Sequence, residues 1–259
     1  MKNEKITPQF PELSLARWLY VLALVLFDYF LFNTSNPISQ ALFVSIDIFM
    51  DAPTKIGRTM LIQQEVLQLI ILVVGLLIIM GWKNIRQYFH WLKWWQWFMI
   101  IPVAVLGMLM MMGGRELSNI FSHWNIFSVP PTFNIDQAQL ISKPLFNVMN
   151  WMVLYSTISA QIVAILVLNV VFQFSGIKDY SFKNYRVWLF ALLAALIGGF
   201  FMINPANPNI FYSILGFGGS QFIFNLAYIK MRNPLIPMVS AYGVDRLFYY
   251  WIMVIIFGK

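Results

Sequence analysis

The side chains that could do chemistry in this chain are few, and most interrupt long apolar runs. Asp28, Gln63, Gln64, Glu65, Gln68, Gln161, Asn169, Gln221, Asn225, Asp245 and Arg246 are the polar and ionisable residues so placed. Carboxylates in apolar surroundings can carry protons, and amides beside them can orient a polar ligand. At the centre of a bilayer such groups cost roughly 2.5 to 3.5 kcal/mol for a charge on insertion scales, so each demands a partner or a water-lined cavity. Asp245 and Arg246 are sequence neighbours that point about 100° apart on a helix, so they cannot both face one neighbour. Arg246 paired with Asp28 across helices is the structural reading of the two charges.

Other chemistries fail on inventory. His90 and His123 are the chain's two histidines, and there is no cysteine. The common His, Cys and carboxylate zinc sites cannot be assembled from them, and disulfides and thiol nucleophiles are excluded. A serine or threonine nucleophile would need a base other than histidine. The sequence Gly216-Phe217-Gly218-Gly219 sits inside an apolar run, where it reads as close helix packing and not as a phosphate cradle. No metal or cofactor is therefore expected.

The elements that must position these residues are membrane-spanning helices. The chain is 60% hydrophobic and 10% charged, too few charges to cover a soluble surface. About 20 apolar residues cross the ~30 Å hydrocarbon layer as a helix. Seven stretches qualify: Leu13 to Phe32, Leu61 to Trp82, Gln96 to Met112, Leu145 to Phe172, Val187 to Ile203, Ile210 to Ile229 and Leu235 to Phe257. The predicted fold is an all-α, polytopic transmembrane bundle forming one membrane-embedded domain over residues 1–259. The shorter run Ile38 to Met50, interrupted by Ser45 and Asp47, reads as an interfacial or re-entrant helix, with a tilted eighth span as the alternative.

Cation placement sets the sidedness. With the N-terminus cytoplasmic, the inner segments hold Lys2, Lys5, Arg17, Lys83, Arg86, Lys93, Lys178, Lys183, Arg186, Lys230 and Arg232. The outer ones hold Lys55, Arg58, Arg115, Lys143 and Lys259, giving eleven against five. The C-terminus is then extracytoplasmic. The net charge of +7 reads as topology and attraction to anionic lipid, with no nucleic-acid partner. The first span lacks a small-residue cleavage site and is expected to be retained. Absent cysteine in outward loops favours a bacterial envelope. The Trp-rich segment Trp82 to Trp97 reads as an interfacial belt. Gly113-Gly114 is expected to open an outer loop containing Pro130-Pro131, and Asn204 to Asn209 a tight outer turn.

A family resemblance rests on the stretch Gly216 to Tyr249, GFGGSQFIFNLAYIKMRNPLIPMVSAYGVDRLFY. A small-residue helix ends in a short turn, and an apolar Pro-containing helix follows. With the helix order from Asn134 onward, this resembles the CPBP family (CAAX proteases and bacteriocin-processing enzymes, or Abi family). Its members are polytopic glutamate-dependent intramembrane proteases with motifs Glu-Glu-x-x-x-Arg, Phe-x-x-x-His and His-x-x-x-Asn/Asp. The first motif falls on Ala160-Gln161-Ile162-Val163-Ala164-Ile165 and loses both glutamates and the arginine. The second falls on Phe200 to Asn204, keeping Phe200 but placing Asn204 where the histidine stands. The third falls on Ala241 to Asp245, with Ala241 for the histidine and Asp245 kept. A shift by one residue would instead use Tyr242 and Arg246.

The resemblance therefore implies a pseudo-protease with no catalytic residue, because the groups that would activate water and stabilise an oxyanion are gone. It implies a scaffold or regulator of the bacterial cell envelope, with bacteriocin immunity among the roles, and another membrane or envelope protein as partner besides membrane lipids. Two rivals remain. One is an active intramembrane protease using carboxylates such as Glu65 with Asp245 or Asp28. The other is a small transporter or channel component built on Asp28, Glu65, Asp245 and Arg246.

Overall fold

The computed structural model describes residues 13–32, 55–89, 91–120, 143–177, 180–201 and 212–245. Among the described residues every regular element is helical. The order is α1 (Leu15–Phe32), α2 (Lys55–Met80), α3 (Trp82–Tyr88), α4 (Trp94–Ile120), α5 (Lys143–Ser175), α6 (Tyr185–Phe201), a π-helical turn (Ser213–Phe217), α7 (Gly218–Met231) and α8 (235–245). The run Ile38 to Met50 and the turn Asn204 to Asn209 lie outside the described residues.

Helix α1 buries Trp18, Val21, Val25 and Asp28, a spacing of three and four that makes one stripe. That stripe packs on α2 and α5. The α1–α2 pair is antiparallel, because Leu24 lies against Gly75 while Asp28 meets Gln68. Helix α5 is central and contacts α1, α2 and α6, whereas α7 joins α6 to α4. Two apolar cores result. The larger gathers Trp18, Leu76, Leu168, Phe172 and Val187; the smaller gathers Val103, Met111, Phe224, Ile236 and Val244 from α4, α7 and α8.

Local chemistry explains the α7–α8 corner. The chain leaves α7 with Arg232 in the left-handed region (φ 54°), its N–H donating to the Tyr228 carbonyl at 2.7 Å. Asn233 Oδ1 then accepts the Leu235 N–H at 3.0 Å, and Pro234 occupies the first turn, where its missing N–H costs nothing. We call the end of the bundle containing this corner the basal end. There α2, α5 and α7 finish while α4, α6 and α8 begin, tied by Gln96 Nε2 donating to the Met231 carbonyl at 3.3 Å.

One expectation is corrected. Gly113-Gly114 opens no loop, since α4 continues unbroken through Ile120. A Cβ at Gly114 would overlap the backbone of Gly216, and one at Gly199 would lie 2.6 Å from the Ser213 carbonyl and 3.0 Å from Gly218. The glycines let α4 and α6 approach the π-helical turn backbone to backbone.

Two helical segments, Trp94–Ser118 and Leu154–Ser175, are long and apolar enough to cross a bilayer; Val66–Met80 and Tyr185–Phe200 are shorter apolar helices. Large apolar side chains also face outward. On α4 these include Trp94, Phe98, Ile101 and Leu109, on α2 Ile70 and Ile78, and on α6 Leu189 and Leu193.

Candidate binding cavity

Between α5 and α7, and bordered by α4, α6 and α8, lies a partly open cavity of about 240 Å³. At roughly 30 Å³ per molecule of liquid water, that volume suits several waters or one bulky side chain. Apolar residues form most of its wall, with Phe224, Val167 and Val244 among them, and its polar groups are Ser156, Thr157, Gln161, Ser220, Gln221 and Asp245.

Helical spacing puts these groups there. Thr157 and Gln161 are four residues apart on α5, Gln221 and Asn225 on α7, and Ala241 and Asp245 on α8, so each pair shares one face. Gln161 Nε2 donates to Gln221 Oε1 at 2.9 Å, and Gln221 Nε2 reaches back to Gln161 Oε1 at 3.4 Å. Gln221 Nε2 also donates to Asn225 Oδ1 at 3.0 Å. Asn225 Nδ2 closes the chain on the Ala191 carbonyl of α6 at 3.1 Å. Amides taken from water without such bonds would cost several kcal/mol by transfer to an apolar medium, so this reciprocal chain is what lets three buried amides sit among apolar helices.

The one carboxylate of the lining is bound differently. Thr157 Oγ1–H donates to Asp245 Oδ2 at 2.6 Å, within the short range of hydroxyl-to-carboxylate bonds. The Ser220 hydroxyl donates to the Phe217 carbonyl at 2.8 Å, so its proton is turned to the helix backbone. The wall thus offers an anchored carboxylate and neutral amides, arranged to orient a polar ligand by hydrogen bonds.

Of the positions aligned with protease motifs, Ala160, Gln161, Ala241 and Asp245 line this cavity. Ile165 does not. It faces a smaller apolar hollow of about 30 Å³ on another side of α5, together with Ile162 and Asn169. Phe200 is more than half exposed on α6, and Tyr242 is half-buried on α8 outside the lining. Asn204 and Arg246 lie outside the described residues, as do His90, His123 and the side chain of Glu65. The Asp28–Arg246 pairing therefore falls there too. Asp28 itself is buried on α1, with Oδ2 accepting from Gln68 Nε2 at 3.1 Å and Oδ1 without a hydrogen-bond partner among the described residues.

Ser156, Thr157 and Ser220 are the polar lining groups that sequence reasoning passed over. Thr157 was findable, standing one helical turn before Gln161. Among the described residues no three His, Asp or Glu side chains cluster as metal ligands. Comparison with family models, curated proteins and solved structures returns no match for this chain.

Proposed function

We propose that the chain is a membrane-embedded helix bundle of CPBP-like layout that binds a partner at its polar cavity without hydrolysing it. Embedding is supported by the two bilayer-length apolar helices and by the rows of outward Leu, Ile, Phe and Trp on α2, α4 and α6. Apolar patches of that extent are rare on soluble monomers, whereas lipid tails accept them. Seven spans, a cytoplasmic N-terminus, an extracytoplasmic C-terminus and a bacterial plasma membrane complete the reading.

The observation that carries the binding role is the meeting of Ala160, Gln161, Ala241 and Asp245 around one hollow. Two of the four are methyl side chains and one is an amide already committed to Gln221. The Asp245 carboxylate is held by Thr157. Such a wall recognises a polar group more readily than it deprotonates water. A role in envelope scaffolding or bacteriocin immunity, with another membrane or envelope protein as partner, fits that chemistry.

Co-purification in mild detergent tests it. A partner should travel with the wild-type chain and be lost when Ala164→Trp fills the cavity. If nothing accompanies the chain, and its deletion changes neither envelope integrity nor bacteriocin tolerance, the scaffold reading fails. Cleavage of membrane-embedded peptides that disappears in Asp245→Asn would establish an enzyme instead. The Asp245 carboxylate on the wall of that hollow favours transport as the second reading. Flux through proteoliposomes that vanishes in Asp245→Asn would select it.

A further inference from the structure

The amide chain on the cavity wall has a direction and an open end. Its far end is fixed by the Ala191 carbonyl, which can only accept, so Asn225 presents Nδ2 to it at 3.1 Å and turns Oδ1 toward Gln221. Gln221 Nε2 then commits both of its hydrogens, one to Asn225 Oδ1 at 3.0 Å and one to Gln161 Oε1 at 3.4 Å. Gln161 Nε2 donates one hydrogen to Gln221 Oε1 at 2.9 Å. An amide nitrogen carries two hydrogens and an amide oxygen two lone pairs. One N–H of Gln161 and one lone pair of Gln221 Oε1 are therefore left over, without a partner among the described residues.

These two leftovers are adjacent, because they sit on the nitrogen and oxygen of a single 2.9 Å bond. Both side chains line the cavity and both are more than nine-tenths buried. The wall thus offers one donor beside one acceptor. A primary carboxamide answers both at once, since its oxygen and one of its N–H groups lie on the same edge. A trans peptide group turns its N–H and C=O to opposite sides. A carboxylate only accepts and an ammonium only donates. The small side chains Ala160, Ala164 and Ala241, with Gly198, also form the wall. They leave space for an apolar stem behind the amide tip, and the mostly apolar lining suits that stem.

We propose that the cavity receives the side-chain carboxamide of an asparagine or glutamine on a partner protein. Its oxygen accepts from Gln161 Nε2 and its nitrogen donates to Gln221 Oε1. Lipid tails offer such an amide no hydrogen bond, so inside a bilayer this pairing ties the two chains together. The inference names the partner group in the binding role proposed above and rests on it.

The test titrates isobutyramide, a carboxamide on a short apolar stem, into the full chain in micelles and follows the side-chain NH2 resonances of its glutamines by NMR. The Gln161 and Gln221 signals should shift saturably. N-methylisobutyramide, isobutyrate, isobutylammonium and isobutanol should each bind at least about tenfold more weakly, the effect of one unmet hydrogen bond. Gln161→Leu should weaken isobutyramide binding by a similar factor. Ala164→Leu, which narrows the cavity and leaves the amides in place, should weaken it while the Gln161 and Gln221 signals persist, and this separates a filled cavity from a lost fold. Absence of a saturable shift, or equal binding of any of the four analogues, overturns the inference; preference for isobutylammonium would move recognition to Asp245. A partner that co-purifies with wild type and is lost in Ala164→Trp, without any isobutyramide binding, defeats this inference alone. A chain that binds isobutyramide but never carries a partner defeats the partner-binding reading, and with it the assignment of the amide to a protein.

Discussion

At the scale of single residues, the amide chain of the cavity makes a quantitative claim. Gln161→Leu removes one partner and leaves Gln221 donating and accepting less than it can, at a cost of about 1 to 3 kcal/mol. The double substitution Gln161→Leu with Gln221→Leu should cost less than the sum of the single ones, because both polar ends of the bond are then gone. A double-mutant cycle by chemical unfolding in detergent measures the difference; strictly additive effects would mean the two amides do not interact. Thr157→Val should destabilise by about 1.5 to 3 kcal/mol, the range for a hydrogen bond to a charged group. Since Asp245 is only half-buried, the lower end is expected. Gln161, Gln221 and Asp245 were visible as polar interruptions, and Thr157, one turn before Gln161, could have been found from four-residue spacing. Which helix faced which was not.

At the scale of elements, the contact of α4 and α6 with the π-helical turn depends on hydrogen atoms where side chains would be. Gly114→Leu forces a side chain into the backbone of Gly216 and should destabilise by at least about 1 to 3 kcal/mol, read as a fall in the thermal midpoint in micelles. Gly113→Ala, with open space around its Cβ, should remove a helix-interior glycine and leave the midpoint unchanged or raised. At the α7–α8 corner, Arg232→Gly should stabilise the turn by about 1 kcal/mol by relieving a left-handed φ, while removing a cation from the basal end. A midpoint lowered by that change would show that the arginine side chain holds the corner more firmly than its backbone strains it. The glycine pair misled sequence reasoning because Gly-Gly serves a turn and a tight helix crossing equally well. Only the opposing backbone distinguishes the two.

At the scale of the whole molecule, charge and apolar surface are segregated along one axis. Among the described residues, exposed Lys and Arg collect at the basal end, outward Leu, Ile, Phe and Trp cover the sides, and the cavity lies between α5 and α7. A bilayer matches that distribution, with headgroups opposite the cations and tails opposite the apolar sides. The expected outcome is retention of the chain in the membrane pellet through alkaline carbonate and its release by detergent. Recovery in the carbonate supernatant would contradict embedding. The cavity occurs where α5 and α7 stand apart, bridged by Gln161 and Gln221 in place of direct apolar packing.

The sequence by itself determined the helical class and the positions of the apolar stretches, because both are local properties of composition and of period along one chain. It also marked Gln161, Gln221, Asn225 and Asp245 as polar groups needing partners. Tertiary structure alone decided that Gln161 meets Gln221, that Asp245 meets Thr157, that Ile165 turns toward a different hollow, and that Gly114 abuts Gly216. Those outcomes depend on how helices are rotated and placed against one another, and a side chain's partner is fixed by that rotation, which no single helix encodes.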